Sequence, residues 1–442
     1  MKSVVITSGI ENWQILQQEN GVATAYLQGN YQAEAGQQVL LRVIEEKTNE
    51  IIVDFTPADC KDGDWSVALP IPRGGLYRLE AHLECPSGNL PYRRTQRGTV
   101  IHHIGAGEVF LIAGQSNAAG TGHGPAADEP ELGVHVLRDQ AYWDLATHPL
   151  DAERGFHSPF LSFGKSMKEK LGCPIGLLPY ALGGSPLSRW LPEEEGDLFR
   201  EMMDGCRSRQ IVPKAILWYQ GCTDAMKGNT AGYLERFSHF VADCRKGFGD
   251  PQLPIFTCQL NRHEDFNPNP RQNDANWAAV REAQRQAARQ IPNCSVMTTF
   301  DLSVSDGIHN NPTSNLLLGK RLARQVLQTL YGIGSLPADP MDLQQAVMTA
   351  PDRLELIFAP VTDRVFLYES GIEAPIDVSD RDGAIPITQI QEGQDRLILT
   401  LSRPPKEGAV VSAMAHAKNT RYFGDATTQI PALGFYRVPI LN

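Results

Sequence analysis

Five apolar residues, Val109 to Ala113, run directly into Gly114-Gln115-Ser116-Asn117. The apolar run is rich in β-branched and aromatic side chains, which predicts a buried strand. The glycine and three polar residues after it predict an abrupt corner into a helix. A serine and an asparagine have no packing reason to stand at the carboxyl edge of a buried strand. In open α/β sheets that edge is where ligands bind. Ser116 is therefore a candidate nucleophile, provided a histidine elsewhere in the chain reaches it. Taken alone it reads equally well as the cap of the next helix.

The chain has 442 residues, more than one hydrophobic core sustains, so two or three domains are expected. A net charge of −11 argues against nucleic-acid and anionic-membrane partners, which need a basic footprint. The eight cysteines form no CxxC pair and stand at no zinc-type spacing to histidine. Cys244, Cys258 and Cys294 lie inside apolar patterns and are expected as buried free thiols. The first residues lack the sustained apolar region of a signal peptide, and no stretch is long enough to span a bilayer. A soluble protein is expected, cytoplasmic, or secreted or periplasmic where a signal peptide has been removed. Oligomeric state leaves no mark in the sequence.

Three regions are expected. Residues 1–100 carry short runs such as Val22–Leu27, Val39–Ile44 and Trp65–Leu69, separated by Gly, Asn and Asp turns, which predicts a small β-sandwich. Residues 101–335 alternate strands, near 108–114, 175–181, 214–219, 254–260 and 294–300, with apolar-periodic helices. Examples are Phe160, Phe163, Met167 and Leu171, or Tyr233, Phe237, Phe240 and Cys244. That alternation predicts a parallel sheet covered on both faces. After the linker Leu336-Pro-Ala-Asp-Pro340, residues 336–442 return to a β pattern.

Four loops of the middle region each follow a predicted strand. They carry Ser116; Gly183-Gly184; Trp218-Tyr-Gln220-Gly221-Cys222; and Asp306-Gly-Ile-His309. Asp306 and His309 are spaced so that the carboxylate folds back onto Nδ1, leaving Nε2 free as a base. Each piece alone is an ordinary turn or surface pair. Their joint occurrence, always after a strand, is not ordinary.

With these blocks the chain resembles the SGNH-type hydrolases, in the branch of the sialate O-acetylesterases and related carbohydrate acetylesterases. The resemblance implies a flavodoxin-like α/β/α core with a parallel sheet, flanked by small N- and C-terminal β domains, and chemistry without a metal or cofactor. It implies Ser116 as nucleophile, His309 as base and Asp306 as its orienter. The oxyanion hole would comprise the Ser116 N–H, a backbone N–H of Gly183 or Gly184 and the Gln220 side-chain amide. Cys222 stands where the family usually has Glu, and Ala118 where it often has Met. Asn117, Arg189, Trp190 and Cys222 are assigned to substrate binding, with Trp190 as a stacking face and Arg189 as a charge for an acidic sugar.

The expected function is a serine esterase that removes O-acetyl groups from a sugar or glycan. Two alternatives remain open at this stage: an esterase or thioesterase for small non-sugar acyl groups, and an inactive carbohydrate-binding protein.

Overall fold

The apolar run that ends at Ser116 is the last part of a 21-residue strand, β1 (Arg94–Gly114), in which Val109 to Ala113 are all but inaccessible to solvent. The computed structural model describes residues 4–32, 37–85, 94–151, 155–264, 270–368, 375–417 and 421–441. The chain is mixed α/β and rich in sheet. Six further strands continue outward from β1: β2 (Val134–Arg138), β3 (Tyr142–Leu145), β4 (Ile175–Pro179), β5 (Ala215–Tyr219), β6 (Ile255–Cys258) and β7 (Cys294–Met297). Their order is β3-β2-β4-β1-β5-β6-β7, and every neighbouring pair is parallel except the β2–β3 hairpin. The five expected strands are all present. The hairpin is an addition that its short, partly polar strands concealed.

Helices cover both faces, as the register shows. Phe110 meets Phe163 of α2 (Phe160–Leu171) edge-on at 4.9 Å. Trp218 pairs with Ala113, three residues and therefore one face-flip from Phe110, and packs on Phe240 of α5 (Tyr233–Phe248) at 4.4 Å. Between these helices in sequence lie α3 (Asp197–Ser208) and α4 (Cys222–Lys227); α1 (Ser116–Ala119) precedes them, and α6 (Pro270–Gln290) and α7 (Pro312–Tyr331) follow. The α7 start is capped by Asn311, whose side chain accepts from Ser314 N–H at 2.8 Å, with Pro312 in the first turn.

The first half of β1 belongs elsewhere. Residues 94–106 pair antiparallel with Gly74–Cys85, which pairs with Val39–Glu45, itself paired with Ile51–Pro57. A separate sheet of Val4–Ser8, Val22–Tyr31, Asp64–Pro72 and Asp59–Lys61 lies opposite, and the two enclose a cluster that includes Trp65, Leu69, Leu79 and Ile104. Val22–Tyr31 alternates buried and exposed residues, as a strand with one wet face must. The boundary expected at residue 100 falls within β1, so this β region and the central sheet share a strand. Beyond residue 340 two four-stranded antiparallel sheets close over Phe358, Phe423 and Phe435.

Buried polar groups join this last region to the centre. The Arg281 guanidinium of α6 donates to the carbonyls of Leu260, Asn261, Met414, Ala415 and His416 and stacks over Phe300 at 4.8 Å. Burial lowers it to about 9, still charged at neutral pH. Gln259 bonds both the N–H and the C=O of Gly434. No helix among the described residues is long and apolar enough to cross a membrane.

His416 lies between Asp377 (2.9 Å from Nε2) and Asp274 of α6 (3.1 Å from Nδ1). The hydrogen bond to Asp377, aided by that to Asp274, raises its pKa from 6.5 to about 9 against the opposing effect of burial. A raised folded-state pKa means stabilisation that is complete below pH 6.5 and lost as pH climbs to about 9. Thermal melts between those two values should show a falling Tm in the wild type and a flatter profile in His416→Gln. Parallel profiles for the two proteins would refute the coupling.

Candidate active site

The corner after β1 is set by close backbone approach. Gly114 has φ +124°, and a Cβ there would lie 2.3 Å from the Tyr219 carbonyl oxygen of β5. No other residue fits. Gln115 then ties two loops together. Its N–H donates to Tyr219 O at 2.9 Å, and its side-chain Oε1 accepts from Gly221 N–H (3.0 Å) and Thr223 N–H (3.2 Å). Ser116 opens α1, with the Ala118 and Ala119 N–H groups bonded back to Gln115 O.

The loop before α7 is held by amides from two strand ends. Asn117 accepts from Asn310 N–H at 2.9 Å and donates to Ile308 O at 3.2 Å, gripping the chain on both sides of His309. Asn261, after β6, donates to Asn310 Oδ1 at 2.7 Å and to Leu302 O at 3.0 Å. The loop closes on itself through Ser305 N–H to His309 O at 2.7 Å.

So held, His309 presents Nε2 to Ser116 Oγ at 2.8 Å and Nδ1 to Asp306 Oδ2 at 2.6 Å. Asp306 Oδ1 accepts the backbone N–H groups of His309 (2.9 Å) and Ile308 (3.2 Å). Partial burial would raise the Asp306 pKa, but the His309 ring and these N–H groups outweigh it and hold it below the usual carboxylate value. It is ionised at neutral pH. Hydroxyl, imidazole and carboxylate in series can take the serine proton as the oxygen attacks a carbonyl.

Gly183 adjoins the serine: a Cβ there would lie 3.8 Å from Ser116 Cβ. The backbone N–H groups of Ser116, Gly183 and Gly184 have no acceptor among the described residues. Gly183 and Gly184 are exposed, and Ser116 is 6% exposed.

Five expectations are corrected. Gln220 is wholly buried; its Nε2 donates to Asp224 and to Ser185 O, and its Oε1 accepts from Tyr233 OH at 2.8 Å. Both amide protons are engaged, so it offers none to an oxyanion. Trp190 is 0% exposed, edge-on to Trp218 at 5.3 Å, with Nε1 bonded to Ser185. It is core rather than a stacking face. Arg189 pairs with Asp197 through Nε and Nη2, so its charge is already compensated within the chain. Cys222 is buried, and burial pushes its thiol up to about 12, so it neither reacts nor meets substrate. Asn117, assigned to substrate, is 3% exposed and holds the His309 loop instead.

Sequence reasoning missed Gln115, Asn261 and Asn310 as loop clamps. It also missed Phe156, 59% exposed, whose N–H bonds Gly120 O and whose ring lies 4.5 Å from that of His123. His123 N–H reaches Ser305 Oγ at 3.3 Å, beside the Asp306–His309 loop.

A family model described as carbohydrate esterase, sialic acid-specific acetylesterase, matches residues 106–328. A carbohydrate acetylesterase from Xanthomonas citri has a similar structure over 98% of this chain and 99% of its own, with a TM-score of 0.71 at 19% identity. A protein of Arabidopsis thaliana aligns over 50% of this chain and 98% of its own, at 23% identity and a TM-score of 0.44. Among curated proteins none matches this chain.

Because Gln220 donates to Oδ2 of the buried Asp224 carboxyl, Gln220→Ala should destabilise the fold by at least about 2 kcal/mol, the cost of stranding a buried polar group. Urea unfolding measures it; an unchanged midpoint would show that the amide is not structural.

Proposed function

From the premise that the chain belongs to the sialic acid-specific acetylesterase family of carbohydrate esterases, and is a carboxylic ester hydrolase, we propose that it removes O-acetyl groups from carbohydrates through a Ser116–His309–Asp306 triad. The observation that carries this reading is the continuous chain of contacts at 2.8 and 2.6 Å. Ser116 Oγ attacks the acetyl carbonyl while His309 Nε2 takes its proton. The negative charge on the carbonyl oxygen is met by the N–H groups of Ser116 and of Gly183 or Gly184, both free to donate. The tetrahedral intermediate collapses, the C–O bond to the sugar breaks, and His309 returns the proton to the leaving sugar hydroxyl. Water, deprotonated by His309, then attacks the acetyl-serine; the C–Oγ bond breaks, His309 returns the proton to Ser116 Oγ, and acetate leaves. Asp306 stays ionised and steadies the imidazolium in both halves.

The strand order supports a flavodoxin-like core: without the β2–β3 hairpin it reads second, first, third, fourth, fifth. Three hydrophobic clusters support a division into three regions, with the first boundary inside β1 near residue 106 rather than at residue 100 and the second near residue 335. On the substrate side we place a sugar against Phe156 and His123 in place of the buried Trp190. The ligand is an O-acetylated sugar or glycan.

Ser116→Ala and His309→Ala should each lower turnover of an aryl acetate by about 10³ or more, since each removes one member of a cooperating unit. Rates near wild type in both would overturn the mechanism. Acetate release from a panel of O-acetylated sugars, beside small acyl esters and thioesters, tests the substrate class; a preference for the latter would refute it. Phe156→Ala should raise KM on the preferred sugar several-fold while leaving aryl-acetate kcat unchanged. Equal effects on both substrates would remove Phe156 from the sugar site.

A further inference from the structure

A second cluster lies outside the triad. Asp128 comes from the loop between α1 and β2, and His148 and His157 from the segment between β3 and α2. The Asp128 carboxylate is almost fully enclosed, with 1% of its side chain exposed. Its Oδ2 lies 2.9 Å from His148 Nε2 and 3.5 Å from His157 Nε2, and its Oδ1 accepts from Lys165. The two imidazoles stack at 3.9 Å. His157 is 7% exposed, yet neither of its ring nitrogens has a hydrogen-bond partner among the described residues. An orphaned buried polar group of that kind is costly and uncommon.

We propose that Asp128, His148 and His157 bind one divalent transition-metal ion of the zinc type, with water as the fourth ligand, at a site distinct from the Ser116–His309–Asp306 triad. Two imidazoles and one carboxylate are the ligand types such an ion takes. Ligands at about 2.0–2.1 Å in tetrahedral array lie about 3.3 Å apart. The two Asp–His separations already bracket that spacing, and all three donor atoms lie within 4.8 Å of one another. Rotation of the His157 ring toward Oδ2 completes the set. Lys165 on Oδ1 then orients the ligating carboxylate from behind, as outer-shell partners do. The bound ion would tie two loops together beside the catalytic wall. The His157 carbonyl accepts from Gly122 N–H (3.1 Å) and from Asn315 Nδ2 (2.8 Å), and Asn315 lies six residues after His309.

Calorimetric titration of the full chain with Zn²⁺ should give one site per chain and a Tm that rises with zinc. His157→Gln and His148→Gln should each weaken binding by at least about tenfold, while Ser116→Ala binds as the wild type does. Co²⁺ should give the intense visible bands of a tetrahedral site in the wild type and in Ser116→Ala, and not in the histidine variants. No uptake by the wild type, or undiminished uptake by both histidine variants, would overturn the proposal. Should the variants fail to fold, anomalous scattering from zinc-soaked wild-type crystals decides: a peak among the three side chains supports the site, and peaks only elsewhere refute it.

Discussion

The length of β1 governs the molecule. One strand serves two sheets: its first half completes the N-terminal sandwich, and its second half is the middle strand of the parallel sheet. Neither half can shift register without moving the other, so the N-terminal region braces the strand that delivers Ser116. At the far end, Gly114 lies so close to the Tyr219 backbone that the chain must turn there. Parallel topology supplies the rest. The neighbours of β1 end at the same edge, so the loops bearing Gly183, Gln220 and Asn261 gather around the serine, and the stretch after β7 brings in His309.

What holds these loops is a set of fixed amides. Gln115 joins the serine corner to the loop after β5, and Asn117 and Asn261 fix the residues either side of His309. All but the part-buried Asn117–Ile308 bond are buried, where a hydrogen bond is worth more than in water and a broken one costs more. The histidine therefore meets the serine without a rearrangement, which is the property a preorganised site requires. Gln220 belongs to the same scaffold. Its neighbour Asp224 would otherwise be a buried carboxyl with too few donors, and the amide proton that might have faced an oxyanion is spent on it.

Sequence pattern carried the parts of this that are local or periodic. Strand ends, helix faces and the three-residue step from Asp306 to His309 are written in consecutive residues, and the geometry follows them. Residue type could not tell which way a loop side chain turns. Trp190 is buried by Trp218, Arg189 is compensated by Asp197 and Cys222 is covered by its surroundings, and all of these are tertiary outcomes. The continuity of β1 was hidden for a related reason. Gly107 reads as a break, yet a Cβ there would meet Pro174 O at 1.8 Å, so it marks close contact between strands within an unbroken sheet.

The site is shallow. Gly183 and Gly184 are exposed, and Asp306 keeps 38% of its side chain open. A triad whose acid is solvated must obtain its order from covalent proximity, and here acid and base share one short loop pinned at both ends. Shallowness also suits the proposed reaction. An acetyl group is small, so only its carbonyl and methyl need enclosure, while the sugar that carries it extends over the rim. Discrimination among glycans then falls to exposed side chains such as Phe156 rather than to a deep pocket, and those can vary without disturbing the amide clamps beneath.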